Sequence, residues 1–213
     1  MNNLFRYALL KRSIDILFST IGITVFFFPV LLIGIMIRST SKGHLFHRAY
    51  RIGKEEKPFV MFKIRTMIVN TPVKSFESLK EPEKFYVRFG KALRLSGIDE
   101  LPQLYNILKG EMSLVGPRPT LFDQTDLIDL REENNIYKVK PGLTGYAQIN
   151  GRTKLTSASK VSLDKYYLDN ISLKLDMIIL FKTLPAIIKD IRIAKDQKEN
   201  TINDVKKVFT EVS

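Results

Sequence analysis

The amino-acid sequence predicts a mainly helical α+β fold, with an N-terminal re-entrant membrane helix followed by a small cytoplasmic domain that contains a short β element. Three observations support this: an uncharged apolar run at residues 16–37, alternating polarity at residues 60–67, and helical apolar spacing over much of the remaining chain. We expect residues 1–38 to form the membrane segment, residues 39–194 the cytoplasmic domain and residues 195–213 a polar tail.

The apolar run is long enough to be a membrane helix. Its 22 uncharged residues span roughly 33 Å at ~1.5 Å per residue, enough for the ~30 Å hydrocarbon layer. It is longer than the apolar region of a cleaved signal peptide and ends at Arg38, not at a small-residue cleavage site. It also lacks the water-facing stripe of a soluble helix. We therefore expect membrane insertion.

Pro29 and the charges around the run bear on its topology. A proline in a helix removes a backbone hydrogen bond and disturbs the preceding turn. Positive flanks favour the cytoplasmic side, so a helix that bends at Pro29 and returns to the same face is slightly favoured. A kinked helix that spans the membrane is also compatible with these residues. The basic flanking residues are Arg6, Lys11, Arg12, Arg38, Lys42, Arg48 and Arg51.

Composition restricts the chemistry. The net charge of +12 predicts an anionic partner such as nucleic acid, anionic lipid or a phosphorylated small molecule. The absence of cysteine excludes disulfides, thiolate metal sites and a cysteine nucleophile. The two histidines, His44 and His47, both lie close to the membrane run. Proton transfer and nucleophilic attack therefore fall to carboxylates, hydroxyls or lysines.

Secondary structure after the membrane run is predicted from periodicity. The alternation over residues 60–67 indicates a strand with Lys63 and Arg65 on the same face. Without the neighbouring motifs, this pattern fits a solvated strand face better. Helical spacing recurs at residues 85–95, at residues 101–108 before a stop at Gly110, at residues 121–131, and at residues 163–194. Charges in the last stretch argue against a second membrane span but suit amphipathic helices that lie flat in the membrane interface.

Asp99 and Glu100 form the strongest candidate for chemistry. Because proline is tolerated only in the first helical turn, Pro102 predicts a helix with Asp99 as N-cap. The two carboxylates would then lie at the positive end of a helix dipole, which favours their ionised forms and attracts phosphate. An ionised carboxylate there could bind Mg²⁺ or attack phosphorus. Taken alone, the segment fits an ordinary N-cap aspartate better.

Two proline- and glycine-rich segments supply candidate phosphate ligands. Arg118 stands between Pro117 and Pro119, which stiffen the backbone and restrict the direction of a guanidinium suited to phosphate oxygens. Residues 141–152 form a glycine-punctuated loop that ends in Arg152. This loop fits a structural turn and a phosphate cradle equally well.

Four blocks in the same order resemble the bacterial sugar transferases, the monotopic phosphoglycosyl transferases: residues 63–67, 99–103, 108–119 and 141–152. The resemblance extends from about residue 11 to about residue 183. The chain looks like the minimal form, with no extra domain ahead of the membrane segment. Phe28 departs from the pattern, since the family often has serine immediately before the kink proline.

The resemblance implies an enzyme of the bacterial inner membrane, with its catalytic domain at residues 39–194 on the cytoplasmic face. Such an enzyme moves a phosphosugar from a UDP-sugar to undecaprenyl phosphate, releases UMP and initiates a lipid-linked glycan for polysaccharide biosynthesis. Asp99 would be the nucleophile of a covalent phosphosugar intermediate and a ligand of the required Mg²⁺, and Glu100 would complete the catalytic pair. The membrane helix would be re-entrant and broken at Pro29.

The expected partners are a UDP-sugar, undecaprenyl phosphate and membrane lipid, and not nucleic acid. Two alternatives use the same features: a membrane-bound hydrolase that transfers the phosphosugar to water, and a non-enzymatic binder of nucleic acid or anionic lipid. The second alternative leaves Asp99 and Glu100 without a role. The candidate phosphate contacts, of which Arg118 is the strongest, are Lys63, Arg65, Arg94, Arg118 and Arg152.

Overall fold

The described part of the chain is mainly helical, as the sequence predicts, and has two small sheets where one short β element was expected. The first helix, α1 (Asn3–Thr40), contains the apolar run and continues through Pro29. It is long and apolar enough to cross a membrane, and little of its apolar window is covered by other residues. The computed structural model describes the backbone of residues 3–69, 71–72, 81–151 and 155–211, and their side chains except those of residues 3–4, 82 and 197–211.

An antiparallel hairpin follows the first helix. It consists of β1 (Phe46–Ile52) and β2 (Pro58–Ile64), which pair along their whole length. The predicted strand at residues 60–67 is therefore correct in type, but β2 begins and ends earlier than expected. Arg65 lies immediately beyond it, and its backbone N–H donates to Leu45.

Two short helices flank the adjacent carboxylates. They are α2 (Gly90–Ser96) and α3 (Gln103–Lys109), separated by the 3₁₀ turn Ile98–Glu100. As the sequence predicts, α3 ends at Gly110, whose φ of 86° lies in the left-handed region that glycine adopts readily.

A small parallel sheet lies behind these helices. Its strands are β3 (Ser113–Val115) and β4 (Gly142–Thr144). The connection between them contains α4 (Thr125–Glu133), which begins later than the predicted helix at residues 121–131, and β4 leads into the short α5 (Tyr146–Ile149).

The chain ends in two helices, α6 (Ser157–Asp169) and α7 (Leu173–Glu211). The helical conformation of α7 continues into the predicted polar tail. Five of its exposed apolar side chains recur every three or four residues and therefore share a face: Met177, Phe181, Leu184, Ile188 and Ile191.

The first helix packs against the body of the protein in both of its halves. In the first half, the guanidinium of Arg12 donates to the carbonyl oxygens that end α3, at 2.6 and 2.8 Å. Buried Asp15 accepts from the backbone N–H of Leu114 at 2.9 Å. In the second half, Ile37 is fully buried in a cluster with Ile64 and Leu93. These contacts place the hairpin and the carboxylate turn close to α1.

Candidate active site

The two carboxylates lie on a short turn that enters the interior. Gly97 ends α2 and begins the turn with a φ of 74°, which glycine adopts without strain. Helical backbone angles then continue through Pro102 into α3. Asp99 and Glu100 are 4% and 8% exposed, so both carboxylates are largely withdrawn from water.

The prediction that Asp99 is the N-cap of the following helix is wrong. Pro102 stands immediately before α3, and neither the turn nor α3 has a side-chain cap. Because Leu101 and Pro102 already have helical angles, the helical path begins two residues earlier than expected, with Gly97 in the N-cap position instead of Asp99. The side chain of Asp99 is therefore not used in capping.

Glu100 is held by two cations. Its Oε1 accepts from Lys63 Nζ at 2.7 Å and from an Arg118 guanidinium nitrogen at 2.6 Å, and its Oε2 lies 3.5 Å from the other terminal nitrogen of Arg118. Burial raises the pKa of this carboxyl, but Arg118 and Lys63 together outweigh burial and hold the pKa well below its usual range. Glu100 is consequently ionised at neutral pH and orients both cations.

Asp99 has a different environment although it is the next residue. Burial raises the pKa of its carboxyl to about 6, an effect that Lys63 opposes and that the negative charge of Glu100 increases. Its Oδ1 is buried and has no hydrogen-bond partner among the described residues. A carboxylate oxygen of this kind would lose no hydrogen bond on binding a metal ion or attacking an electrophile.

A cavity of about 580 Å³ opens beside Asp99. Its wall includes Lys63 of β2, Arg94 of α2, and His47 and Arg51 of β1. Burial and the neighbouring positive charges lower the pKa of His47, so this imidazole is neutral at pH 7. With several cations around one available carboxylate, the cavity is suited to a multiply charged anion such as a phosphate ester.

Only some of the predicted phosphate contacts lie near Asp99. Lys63, Arg94 and Arg118 are all electrostatic neighbours of Asp99. Arg65 lines the cavity, but its guanidinium donates to the backbone oxygens of Ser41 at 2.9 Å and Lys42 at 2.5 Å. It therefore binds the segment that follows α1. Arg152 lies outside the described residues.

Arg118 is fixed through its backbone. Buried Arg131 donates to the Arg118 carbonyl oxygen at 2.6 Å and to Thr120 Oγ1 at 2.5 Å. The other terminal nitrogen of Arg131 donates to buried Asp164 at 2.5 Å. These contacts join α4 and α6 to the proline-flanked segment. Spacing alone did not reveal Arg131 or Asp164, because their partners are distant in the chain.

The glycines of residues 141–152 allow close backbone packing. A Cβ on Gly142 would lie 2.1 Å from the backbone N of Gly116, and one on Gly145 would lie 2.1 Å from the Gly116 carbonyl oxygen. Side chains at these positions would separate β3 from β4. The structure thus explains these glycines by strand packing, without a phosphate.

Arg51 lies in the site, although its position in the sequence indicates only a basic residue that flanks the apolar run. Strand pairing places it on the same face of the hairpin as Lys63, because Arg51 pairs with Phe59 and His47 pairs with Lys63. The two-residue alternation from His47 to Arg51 could have suggested this placement once the hairpin register was known.

Carboxylates are the available metal ligands in this site. Among the described residues there is no group of three or more His, Cys, Asp or Glu side chains placed to hold a metal ion. Asp99 has an unbonded carboxylate oxygen, whereas both oxygens of Glu100 face Arg118. A metal here would require further oxygen ligands from a substrate or water.

The chain resembles known proteins over most of its length. The family model described as bacterial sugar transferase matches residues 6–190. The chain is 35% identical over 192 residues to the exopolysaccharide production protein ExoY of Sinorhizobium fredii, covering 83% of this chain and 84% of that protein.

Two further relatives have names that specify a reaction. Over 186 residues the chain is 34% identical to the UDP-glucose:undecaprenyl-phosphate glucose-1-phosphate transferase of Caulobacter vibrioides, covering 84% of this chain and 69% of that protein. Over 187 residues it is 35% identical to the UDP-N-acetylgalactosamine-undecaprenyl-phosphate N-acetylgalactosaminephosphotransferase of Aeromonas hydrophila, covering 85% of this chain and 44% of that protein. The chain thus matches less than half the length of the second relative.

Proposed function

Because the chain belongs to the bacterial sugar transferase family, we propose that it transfers a phosphosugar from a UDP-sugar to undecaprenyl phosphate and releases UMP. The names of the two relatives above support these substrate classes. The observation that carries the proposal is the buried Asp99 carboxylate, with Oδ1 unbonded, on the wall of a basic cavity. Such a group is suited to attack the phosphorus of an anionic substrate.

Asp99 is the nucleophile in the reaction that we propose. Its carboxylate oxygen attacks the β-phosphorus of the UDP-sugar, and the bond from that phosphorus to the bridging oxygen breaks, so that UMP leaves with the bonding electron pair. In the second step, an oxygen of the lipid phosphate attacks the same phosphorus. The Asp99 carboxylate leaves and is regenerated, and the balance requires no oxidant or reductant.

Glu100 has a supporting role in this proposal. Its permanent negative charge holds Lys63 and Arg118 beside Asp99, where the two cations can stabilise charge on the phosphoryl oxygens. The site residues fit Mg²⁺, because Asp99 Oδ1 has no partner among the described residues and Mg²⁺ is commonly bound by one or two carboxylates together with substrate phosphates. When bound, Mg²⁺ would neutralise charge on the diphosphate.

The contacts of α1 support a re-entrant topology, with both ends on the cytoplasmic face of the inner membrane. Asp15 and Ile37 belong to opposite halves of the helix, yet both are buried against the same body. A helix that crossed the bilayer would place these two contacts on opposite sides. Phe27, Phe28 and Leu32 between them are exposed and would lie in lipid. The exposed apolar face of α7 would then rest in the membrane interface.

Removal of the attacking oxygen tests the proposal. We expect Asp99→Asn to lower lipid-dependent UMP release by at least about a thousandfold, because the amide lacks the anionic nucleophile. The matched control is Asp126→Asn, an exposed position on α4, which should retain the wild-type rate. UMP release from a panel of UDP-sugars with undecaprenyl phosphate measures both. A fully active Asp99→Asn variant contradicts the assignment.

Omission of the lipid distinguishes the transferase from the hydrolase. Wild-type protein given a UDP-sugar alone should release at most one UMP per enzyme, because the acyl phosphate then has no acceptor. Mass spectrometry should find a phosphosugar on the peptide that contains Asp99. Sustained UMP release without lipid would instead support transfer to water.

A further inference from the structure

Arg51 is a cavity residue to which the proposed reaction assigns no role. It lies at the end of β1, on the hairpin face that also carries His47 and Lys63, and it lines the same cavity as Asp99. Its Nε is buried and has no hydrogen-bond partner among the described residues. A buried guanidinium nitrogen without an acceptor is costly, and a bound ligand could offset that cost.

The structure brings Arg51 close to Arg118. The next residue, Ile52, donates its backbone N–H to the Thr120 carbonyl oxygen at 3.1 Å, in an antiparallel bridge. Arg131 fixes both Arg118 and Thr120 from the other side. In agreement with this arrangement, burial and the positive charge of Arg118 lower the pKa of Arg51 to about 10.

Among the described residues, no carboxylate forms an ion pair with Arg51, whereas Arg118 is bonded to Glu100. Both oxygens of Glu100 face Arg118, and Oε1 also accepts from Lys63. Asp123, the other carboxylate whose charge acts on Arg51, is exposed to solvent. Arg51 lines the cavity and Arg118 lies close to it; two like charges held together favour an anion between them, and planar guanidiniums match phosphate oxygens.

We propose that Arg51, together with Arg118, binds the donor phosphate that leaves with UMP. The inference rests on the proposed function. Arg51 lies four residues along β1 from His47, or about 13 Å at ~3.3 Å per residue. The start of the hairpin is next to α1, because Leu45 contacts Gly34. A phosphate on a membrane-anchored lipid would enter at that end, so the Arg51 end is left to the soluble donor.

Arg51→Gln tests the assignment, because it removes both the positive charge and the guanidinium N–H donors of this residue. We expect the KM for the UDP-sugar and the inhibition constant of UMP to rise about tenfold to a hundredfold, the usual effect of losing charged hydrogen bonds. The KM for undecaprenyl phosphate should stay within about twofold of wild type, and uridine, which lacks the phosphate, should inhibit both proteins equally. Lys54→Gln, a charge removal three residues away and outside the cavity, is the matched control.

The outcomes separate this inference from the proposed function. An unchanged UMP inhibition constant, or a rise in the lipid KM instead of the donor KM, overturns the assignment of Arg51. If wild type releases no UMP with any UDP-sugar and lipid, the proposed function itself has failed. Should Arg51→Gln not fold, Arg51→Lys carries the test: it retains the charge but loses the planar guanidinium, so the UMP inhibition constant should rise several-fold, and no change overturns the inference.

Discussion

Asp99 and Glu100 show how tertiary neighbours give adjacent carboxylates opposite properties. Lys63 and Arg118 bond directly to Glu100 and hold its pKa below its usual range. The same cations only oppose the effect of burial at Asp99, so its pKa rises to about 6. In the proposed reaction, Asp99 attacks the phosphorus, and Glu100 holds Lys63 and Arg118 in position.

Arg118→Lys tests whether the planar guanidinium, with its paired N–H donors, matters more than the positive charge. Lysine retains the positive charge but cannot replace both guanidinium contacts, so we expect kcat to fall about a hundredfold. The side chain of Arg118 is 43% exposed, and Lys63 remains bonded to Glu100, so stability should change by less than about 0.5 kcal/mol. Arg88→Lys, at an exposed arginine, is the control for the substitution. An unchanged kcat for Arg118→Lys would argue against direct phosphate contact.

At the scale of elements, α4 and α6 support the site through Arg131, which bonds to the backbone of Arg118. The ion pair between Arg131 and Asp164 joins them and is almost fully buried. Burial raises the pKa of Asp164, although Arg131 opposes the shift. The attraction between the two charges offsets the cost of burying them. Either charge alone would be buried without a partner and poorly solvated.

Asp164→Leu should lower the free energy of unfolding by about 3–5 kcal/mol, because it leaves Arg131 charged and buried without its partner. The double variant Arg131→Met/Asp164→Leu removes both charges and should be considerably more stable than the single variant. Denaturation in detergent, followed by circular dichroism, measures both. The double variant should still have a lower kcat than wild type, because the Arg118 carbonyl has lost its donor. Equal instability of the two variants would contradict this explanation.

At the scale of the whole molecule, the apolar helix α1 packs as part of the tertiary structure. The Lys11 ammonium bonds to Asp176 at 2.8 Å near the start of α7, and Gly22 lies against Leu104 of α3. Together with buried Ile37, these contacts fix the helix to the catalytic body at several points along its length. The proposed re-entrant topology brings a lipid-anchored acceptor and a soluble donor to one surface.

A single cysteine tests this topology, because the natural chain has none. We expect Asn3→Cys to be protected from a membrane-impermeant thiol reagent in intact cells, since both ends of α1 would face the cytoplasm. Labelling after permeabilisation is the control that the thiol is reactive. Adding Pro29→Ala to this variant restores a backbone hydrogen bond, which should straighten the helix and increase labelling of intact cells. Rapid labelling of Asn3→Cys without the second substitution would indicate a spanning helix.

Much of the fold could be predicted because its signals are local. The apolar run at residues 16–37 predicts a membrane helix from composition, and the spacing of Leu101, Leu104 and Leu108 before Gly110 predicts α3. The exact start of the carboxylate turn could not be predicted in this way. Capping rules favoured Asp99, whereas backbone angles at Leu101 and Pro102 extended the helical path to Gly97.

The sequence by itself determined the long apolar helix, the basic character of the body and the motifs that identify the family, because these depend on residue type and order. Only the tertiary structure decided which charges meet. It assigns Lys63 to Glu100, turns Arg65 toward the end of α1 and brings Arg51 close to Arg118. The physical reason is that burial and charge pairing act through space, between residues that strand register and helix packing bring together from distant parts of the chain.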